Sequence, residues 1–287
     1  MSYLSKEQID YYNENGYIIL CNFYNENDIN MMKMGAQHLL NTIPLVEIKG
    51  IFTTSEADLT SKNNDYFLSS GDKIRIFLEE KALTNGKLNR PLNLAVNKIA
   101  HGLHMLDPIF STITHNNRIK QICDDLNIKN PVIPHSMYIF KPPNIGGKVK
   151  PHQDSGFLHT DPLSCLGFWT PMDDTNKENG CLWFIPRSHK TPIINRFKLN
   201  KTTNELYYDP PLNYNYLEQI WPKQQYVPIE ISKGSLVILH GNLVHMSDEN
   251  KSDKARHAYT FHVIDGNSEW SNENWCQYPQ NKKFQNL

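Results

Sequence analysis

The sequence predicts a mainly β fold, a double-sheet jelly roll or barrel, with a helical N-terminal buttress. Three observations carry that reading. From residue 131 onward, short β-rich segments recur over 136–141, 148–153, 163–172, 182–185, 226–231, 236–240 and 258–264. Turn signals separate them, among them Pro142-Pro143-Asn144, Gly146-Gly147, Asn179-Gly180 and Lys233-Gly234, and many short strands with frequent turns are the mark of such double sheets. Before residue 131 the spacing of apolar residues is mixed and mainly helical.

Taken in order, Ser5 fits a helix N-cap with Gln8 at the capping-box position, and the helix ends near Gly16. Residues 17–21 read as a strand. Over 26–42, Ile29, Met32, Ala36, Leu39 and Leu40 fall at three-four spacing and predict an amphipathic helix. The stretch 44–64 has no clear period. Residues 66–79 read as two extended segments around a Ser70-Gly71-Asp72 turn, a hairpin. Helices are expected over 94–106 and over 116–126, the latter with Ile119, Ile122 and Leu126 on one face. A polar and aromatic stretch, 190–225, interrupts the later strands; connections of that length are often functional, and its Tyr-rich stretch, 207–221, is the expected substrate lid. Without repeats or a linker, the chain reads as one domain over residues 1–287: a helical N-terminal region over residues 1–130 and a jelly-roll core over 131–287 with the insertion 190–225.

Composition excludes several function classes. The 287 residues carry a formal net charge of -1, with Lys and Arg scattered among Asp and Glu, so neither nucleic acid nor an anionic membrane surface is an expected partner. There is no eighteen-residue apolar run, and the first ten residues lack the apolar core of a signal peptide. Cys21, Cys123, Cys165, Cys181 and Cys276 are odd in number and widely spaced. They form neither a disulfide framework nor a zinc pattern, so a reduced, cytoplasmic setting is expected.

The chemistry concentrates in Pro151-His152-Gln153-Asp154. On a strand His152 and Asp154 would share a face and could hold two positions of a metal ion; a second imidazole would complete a facial triad with open positions. His245 follows the strand at 236–240, and His240 competes with it from the end of that strand. His245 is preferred because Arg256 lies eleven positions later, across a polar segment that a hairpin would close, bringing Arg256 alongside. A guanidinium there is a bidentate fork for a carboxylate, and Ser247 would sit near the same mouth. On the strand at 258–264, Ala258, Thr260 and His262 form the small or polar face and Tyr259, Phe261 and Val263 the apolar one. Lys148 and Lys150, just ahead of His152, read as solvated edge charges.

His152-x-Asp154, His245 and Arg256, with ENGCLWFIPRSH at 178–189 between the ligands, resemble the phytanoyl-CoA dioxygenase family of Fe(II)/2-oxoglutarate oxygenases. YFLSSGDKIR, NKIAHGLHMLDPIF, SMYIFK, HQD and AYTFH extend the resemblance to residues 3–280. It implies a double-stranded β-helix of cupin-like type. It also implies Fe(II), 2-oxoglutarate as co-substrate, O2, and ascorbate as an auxiliary reductant. The activity implied is decarboxylation of 2-oxoglutarate to succinate and CO2, coupled to hydroxylation of a small molecule that need not be phytanoyl-CoA. Carried over, His152, Asp154 and His245 would be the catalytic metal ligands. Arg256 and Ser247 would hold the far carboxylate of 2-oxoglutarate, with Lys98, Met137 and Trp169 in the same pocket and Gln153 contributing through its backbone. Asp154 itself points to hydroxylation or another oxidation, since related halogenases leave that carboxylate out. A dioxygenase without 2-oxoglutarate would not need Arg256, and a jelly-roll binding protein would need none of the triad. One position departs from the family's P-G-S-H: Arg187 stands where glycine is usual, and would be strained if the turn needs positive φ.

Overall fold

Two reciprocal capping boxes start the N-terminal helices of the computed structural model, which describes residues 2–52 and 65–287. The Ser5 hydroxyl accepts from the Gln8 N–H (3.3 Å) and the Gln8 side chain accepts from the Ser5 N–H (2.9 Å), opening the helix Lys6–Asn15. That helix ends on Gly16, whose φ of 82° is left-handed and whose Cβ, if it had one, would lie 2.4 Å from the His189 ring. Asn25 and Asp28 repeat the box ahead of Glu26–Thr42, which buries Ile29, Met32, Ala36 and Leu40 as the spacing predicts.

The strands, in chain order, are β1 (Tyr17–Leu20), β2 (Gly50–Phe52), β3 (Ile74–Glu79), β4 (Leu83–Thr84), β5 (Lys87–Leu88), β6 (Val96–His101) and β7 (Pro131–Ile139). Then follow β8 (Val149–His152), β9 (Thr160–Asp161), β10 (Leu166–Pro171), β11 (Leu182–Phe184), β12 (Arg196–Asn200) and β13 (Glu205–Asp209). The last are β14 (Val227–Ile229), β15 (Leu236–His240), β16 (His245–Ser247), β17 (Ala258–Asp265), β18 (Glu269–Trp270) and β19 (Gln285–Asn286). A large sheet runs β1-β15-β10-β17-β7-β6-β3-β2, with β19 also on β7, and faces a smaller sheet β14-β11-β16-β8. From β7 onward the chain passes back and forth between the two, which is the expected jelly roll.

The outer face of the large sheet is covered by Glu26–Thr42, Pro108–Thr114 and Asn117–Asp125. Met32, Phe110, Ile119 and Ile122 form one core with Phe168, Ile238, Tyr259 and Phe261 of the sheet. The inner face packs Trp169, Val237 and Leu239 against Leu182, Phe184 and Ile229 of the small sheet. Strands covered on both faces need apolar residues at every position, which is why β10 and β15 read as continuous apolar runs. Each such side chain contributes roughly 1.5–3 kcal/mol on burial.

Three expectations for the N-terminal region change. Residues 94–106 are not one helix: β6 occupies 96–101 between β3 and β7, and only Leu103–Leu106 is helical. With both faces of β6 largely buried, no alternation marks it as a strand. The hairpin over 66–79 is instead a turn of helix, Asp65–Leu68, followed by β3; four residues are too few to display a period. The N-terminal region also supplies β1, β2, β3 and β6 to the large sheet, so it is more than a helical buttress. Of the aperiodic stretch 44–64, residues 53–64 lie outside the described residues. The strand expected at 136–141 starts earlier, at Pro131; its interior Pro134 sits where the pairing with β17 shifts register, so no ladder donor is lost.

Arg187 does adopt the glycine-like conformation, with φ 71°. Its side chain offsets little of that strain: the guanidinium pairs with Glu14 at 3.0 Å, but both side chains are largely in solvent. Arg187→Gly is therefore expected to raise stability by about 0.5–1 kcal/mol, the left-handed penalty less the extra chain entropy of glycine. Urea unfolding midpoints check this, and a lowered midpoint would show that the surface pair outweighs the backbone.

Candidate active site

β8 and β16 are antiparallel neighbours with His152 opposite His245. Asp154 leaves the strand and opens a short 3-10 turn, Asp154–Gly156, so it reaches the same point by a bend rather than by the alternation of a strand. His152 Nε2 and His245 Nε2 lie 3.5 and 3.6 Å from Asp154 Oδ1. Two ligand atoms each about 2.1 Å from a metal ion stand roughly 3–3.4 Å apart, so a small side-chain movement closes the set on an ion. The histidines are already presented for it. His152 Nδ1 donates to the Lys150 carbonyl (2.8 Å) and His245 Nδ1 to the Leu243 carbonyl (2.9 Å), which turns both Nε2 lone pairs toward Asp154.

The electrostatics agree. Burial opposes charge on Asp154, but His245 and His262 prevail and hold its carboxyl well below the usual range. Burial, with His152 alongside, pulls His245 down to about 4. At neutral pH the centre is one carboxylate and a neutral His245 imidazole, the protonation a metal ion requires. His262, on β17, donates from Nε2 to the second oxygen, Asp154 Oδ2, at 3.0 Å and stacks on His135 at 4.7 Å. The sequence placed His262 on the site-lining face without giving it this partner; its signal was the two-residue step from Thr260.

Arg256 does not sit on a hairpin beside His245. β16 lies in the small sheet and β17 in the large one, and Arg256 ends the crossing between them. The guanidinium is buried beneath the Trp169 ring at 5.3 Å; its Nη2 donates to the Gly180 carbonyl (2.9 Å) and reaches Ser247 Oγ (3.3 Å). Its Nε and Nη1 have no hydrogen-bond partner among the described residues. A buried cation whose Nε and Nη1 are both free to donate suits an anion.

Lys98, expected on a helix surface, is on β6 and faces the same cavity. Its ammonium lies 3.8 Å from Met137 Sδ and over the rings of Phe52 (5.1 Å) and Phe77 (5.4 Å), and burial lowers its pKa to about 8. Gln153 turns away from the triad. Its side chain donates to the Asn242 carbonyl (2.9 Å) and accepts from the Ile194 N–H (3.0 Å), tying the ligand segment to the start of the insertion. All nine expected site residues line one cavity of about 660 Å³, a size that holds small molecules.

A protein-family model described as Phytanoyl-CoA dioxygenase (PhyH) matches residues 12–258. The chain belongs to the phytanoyl-CoA dioxygenase family. A phytanoyl-CoA dioxygenase of Arabidopsis thaliana is 39% identical over 276 residues, 96% of this chain and 94% of that protein. The Caenorhabditis elegans homolog of phytanoyl-CoA dioxygenase domain-containing protein 1 is 40% identical over 280 residues, 96% of each. In fold, the chain is similar to the non-heme alpha ketoglutarate dependent carbocyclase SnoK from nogalamycin biosynthesis, with a TM-score of 0.66 and 18% identity over 94% of this chain and 88% of that one.

Within this phytanoyl-CoA dioxygenase family member, the insertion 190–225 is ordered into the β12–β13 hairpin and the helix Tyr214–Ile220. Its Tyr208, Leu212, Tyr214, Leu217 and Trp221 line the cavity. In the cavity wall, buried Lys141 donates to the Gly147 carbonyl (2.8 Å), and Glu79 accepts from Asn97 (2.9 Å) and the Gly147 N–H (3.1 Å). Neither was expected, because a lone Lys or Glu in a sequence reads as surface. Among the described residues no helix is long and apolar enough to cross a membrane.

Proposed function

We propose that the protein is an Fe(II)- and 2-oxoglutarate-dependent dioxygenase that oxidises a small organic molecule. The observation that carries this reading is the pairing of two features in one cavity: three converging ligand atoms and a buried guanidinium with two nitrogens unpartnered among the described residues. The donor set of two imidazoles and one carboxylate suits non-heme Fe(II) with open positions. The fold neighbour SnoK is itself described as alpha ketoglutarate dependent.

When bound, iron and 2-oxoglutarate supply the activation of O2, with 2-oxoglutarate split to succinate and CO2 and the substrate oxidised. The chain's residues do the rest. His152, Asp154 and His245 would hold the metal. His262 occupies Asp154 Oδ2, leaving Oδ1 toward the two Nε2 atoms. Arg256, with Ser247 beside it, holds the far carboxylate of 2-oxoglutarate, and Trp169, Met137 and Lys98 wall its chain. The lid residues limit access of water, which strengthens each of these charged contacts. Four buried thiols and one exposed, none paired, accord with a reducing cytoplasmic compartment.

Under argon, Fe(II) and 2-oxoglutarate together should give a weak visible charge-transfer band that neither gives alone, and air should then yield succinate. Absence of both the band and succinate would refute the reading.

A further inference from the structure

Lys148 and Lys150 flank Val149 on or beside β8, yet they differ. The Lys148 ammonium stands in solvent 3.4 Å from Asp248 Oδ1. That of Lys150 is half-buried, lies 3.9 Å above the Tyr214 ring of the lid helix, and has no carboxylate partner among the described residues. Lys150 lines the cavity two residues ahead of His152, about 7 Å along the strand. So the expectation of a solvated edge charge holds for Lys148 and fails for Lys150.

The charge balance of the cavity gives this a meaning. Among the described residues, Lys49, Lys98, Lys141, Lys150 and Arg256 line it against two carboxylates, Asp154 and Glu80. A dication and the dianion 2-oxoglutarate add nothing net. Lys141 is engaged by the Gly147 carbonyl with Glu79 nearby, Lys49 is exposed, and Lys98 and Arg256 belong to the 2-oxoglutarate end. Among the described residues, Lys150 is then the cation left over on the side of the insertion, among Phe157, Tyr208, Leu212 and Tyr214. A ring face steadies an ammonium but leaves its N–H groups free for an anion.

We propose that the oxidised substrate is an organic carboxylate, with its carboxylate on the Lys150 ammonium and an apolar body against Phe157, Tyr208 and Leu212. A single point charge among aromatic walls suits a monoanionic head; phosphates are met by clusters of donors or forked guanidinium groups. The inference rests on the oxygenase reading, because the metal end fixes where the reacting carbon lies.

The test compares matched pairs, 3-phenylpropanoate with 3-phenylpropanamide and octanoate with octanamide. Their binding to the full chain under argon with Fe(II) and 2-oxoglutarate is followed by the fluorescence of Trp169, Trp221 and Trp275, which line the cavity. At least one carboxylate is expected to bind about tenfold or more tighter than its amide. That preference should vanish in Lys150→Met and persist in Lys150→Arg and Lys148→Met. Equal binding within both pairs, a preference that survives Lys150→Met, or no carboxylate binding even in the millimolar range would overturn the proposal. The charge-transfer band, recorded on the same samples, separates the two ideas. Its absence with the preference intact rejects the oxygenase reading alone, and its presence without any preference rejects the carboxylate site alone.

Discussion

Asp154→Ala should abolish metal binding and, with it, succinate formation. Asp154 Oδ1 stands between the two imidazoles at 3.5 and 3.6 Å and brings the only carboxylate of the three-residue cluster. Two neutral imidazoles on neighbouring strands would remain, without the charge that compensates a dication. The loss in affinity should exceed the roughly 10–100-fold that removal of an outer partner of a ligand costs. Titration with Co(II) in the absence of oxygen measures it directly, and a loss under tenfold would remove Asp154 from the ligand set. The metal-free protein carries a second signature. The Asp154 carboxyl is held well below the ordinary carboxylate range, so it contributes stability that is present at neutral pH and is lost only as pH falls through that lowered value. His245 acts in the same direction. Its pKa falls from about 6.5 unfolded to about 4 in the fold, so stability declines as pH drops through that window. Asp154→Ala should therefore be less stable than the parent at pH 7, with the difference shrinking in strong acid.

The elements that the sequence made legible are those whose chemistry is local. The capping box at Ser5 satisfies helix N–H groups from within four residues, and β8, β10, β11, β14, β15 and β17 are bounded by their own turns. β6 was not legible, because partners on both sides bury it and the sheet, not the segment, makes it extended. The candidate site divides the same way. His152 and Asp154 announce themselves by proximity. Lys98, Met137 and Trp169 came only with the family resemblance, since each alone reads as surface or core. His262 and Lys150 depend on contacts made across the fold, with Asp154 108 residues away and with Tyr214 of the insertion, and no spacing rule reaches so far. The path to Arg256 was misread for a related reason: a polar segment between two strands has the same appearance whether it closes a hairpin or crosses between sheets.

Arg256→Met should cost 2-oxoglutarate affinity on the order of 100-fold or more, since a forked pair of charge-assisted hydrogen bonds is worth about 3 kcal/mol at the low end. Metal affinity should be unchanged, because Arg256 contacts none of the three ligands; its polar contacts are the Gly180 carbonyl and Ser247 Oγ. Arg256→Lys should recover only a fraction of the loss, having the charge without the fork. The same substitution should act oppositely on stability. Without ligand, the guanidinium is buried with Nε and Nη1 unpartnered, and burial alone already pulls its pKa down to about 10. Methionine fills similar volume without charge, so the ligand-free variant should unfold at equal or higher urea concentration than the parent. Added 2-oxoglutarate and Co(II) should stabilise the parent more than the variant, as linkage requires of a ligand that binds only the folded state. A variant that lost stability yet kept 2-oxoglutarate affinity would make Arg256 a structural cation and leave the co-substrate without its anchor. The reverse pattern is the expected one, because Arg256 is buried with no ion pair among the described residues and, on the proposed reading, meets the carboxylate of a bound molecule.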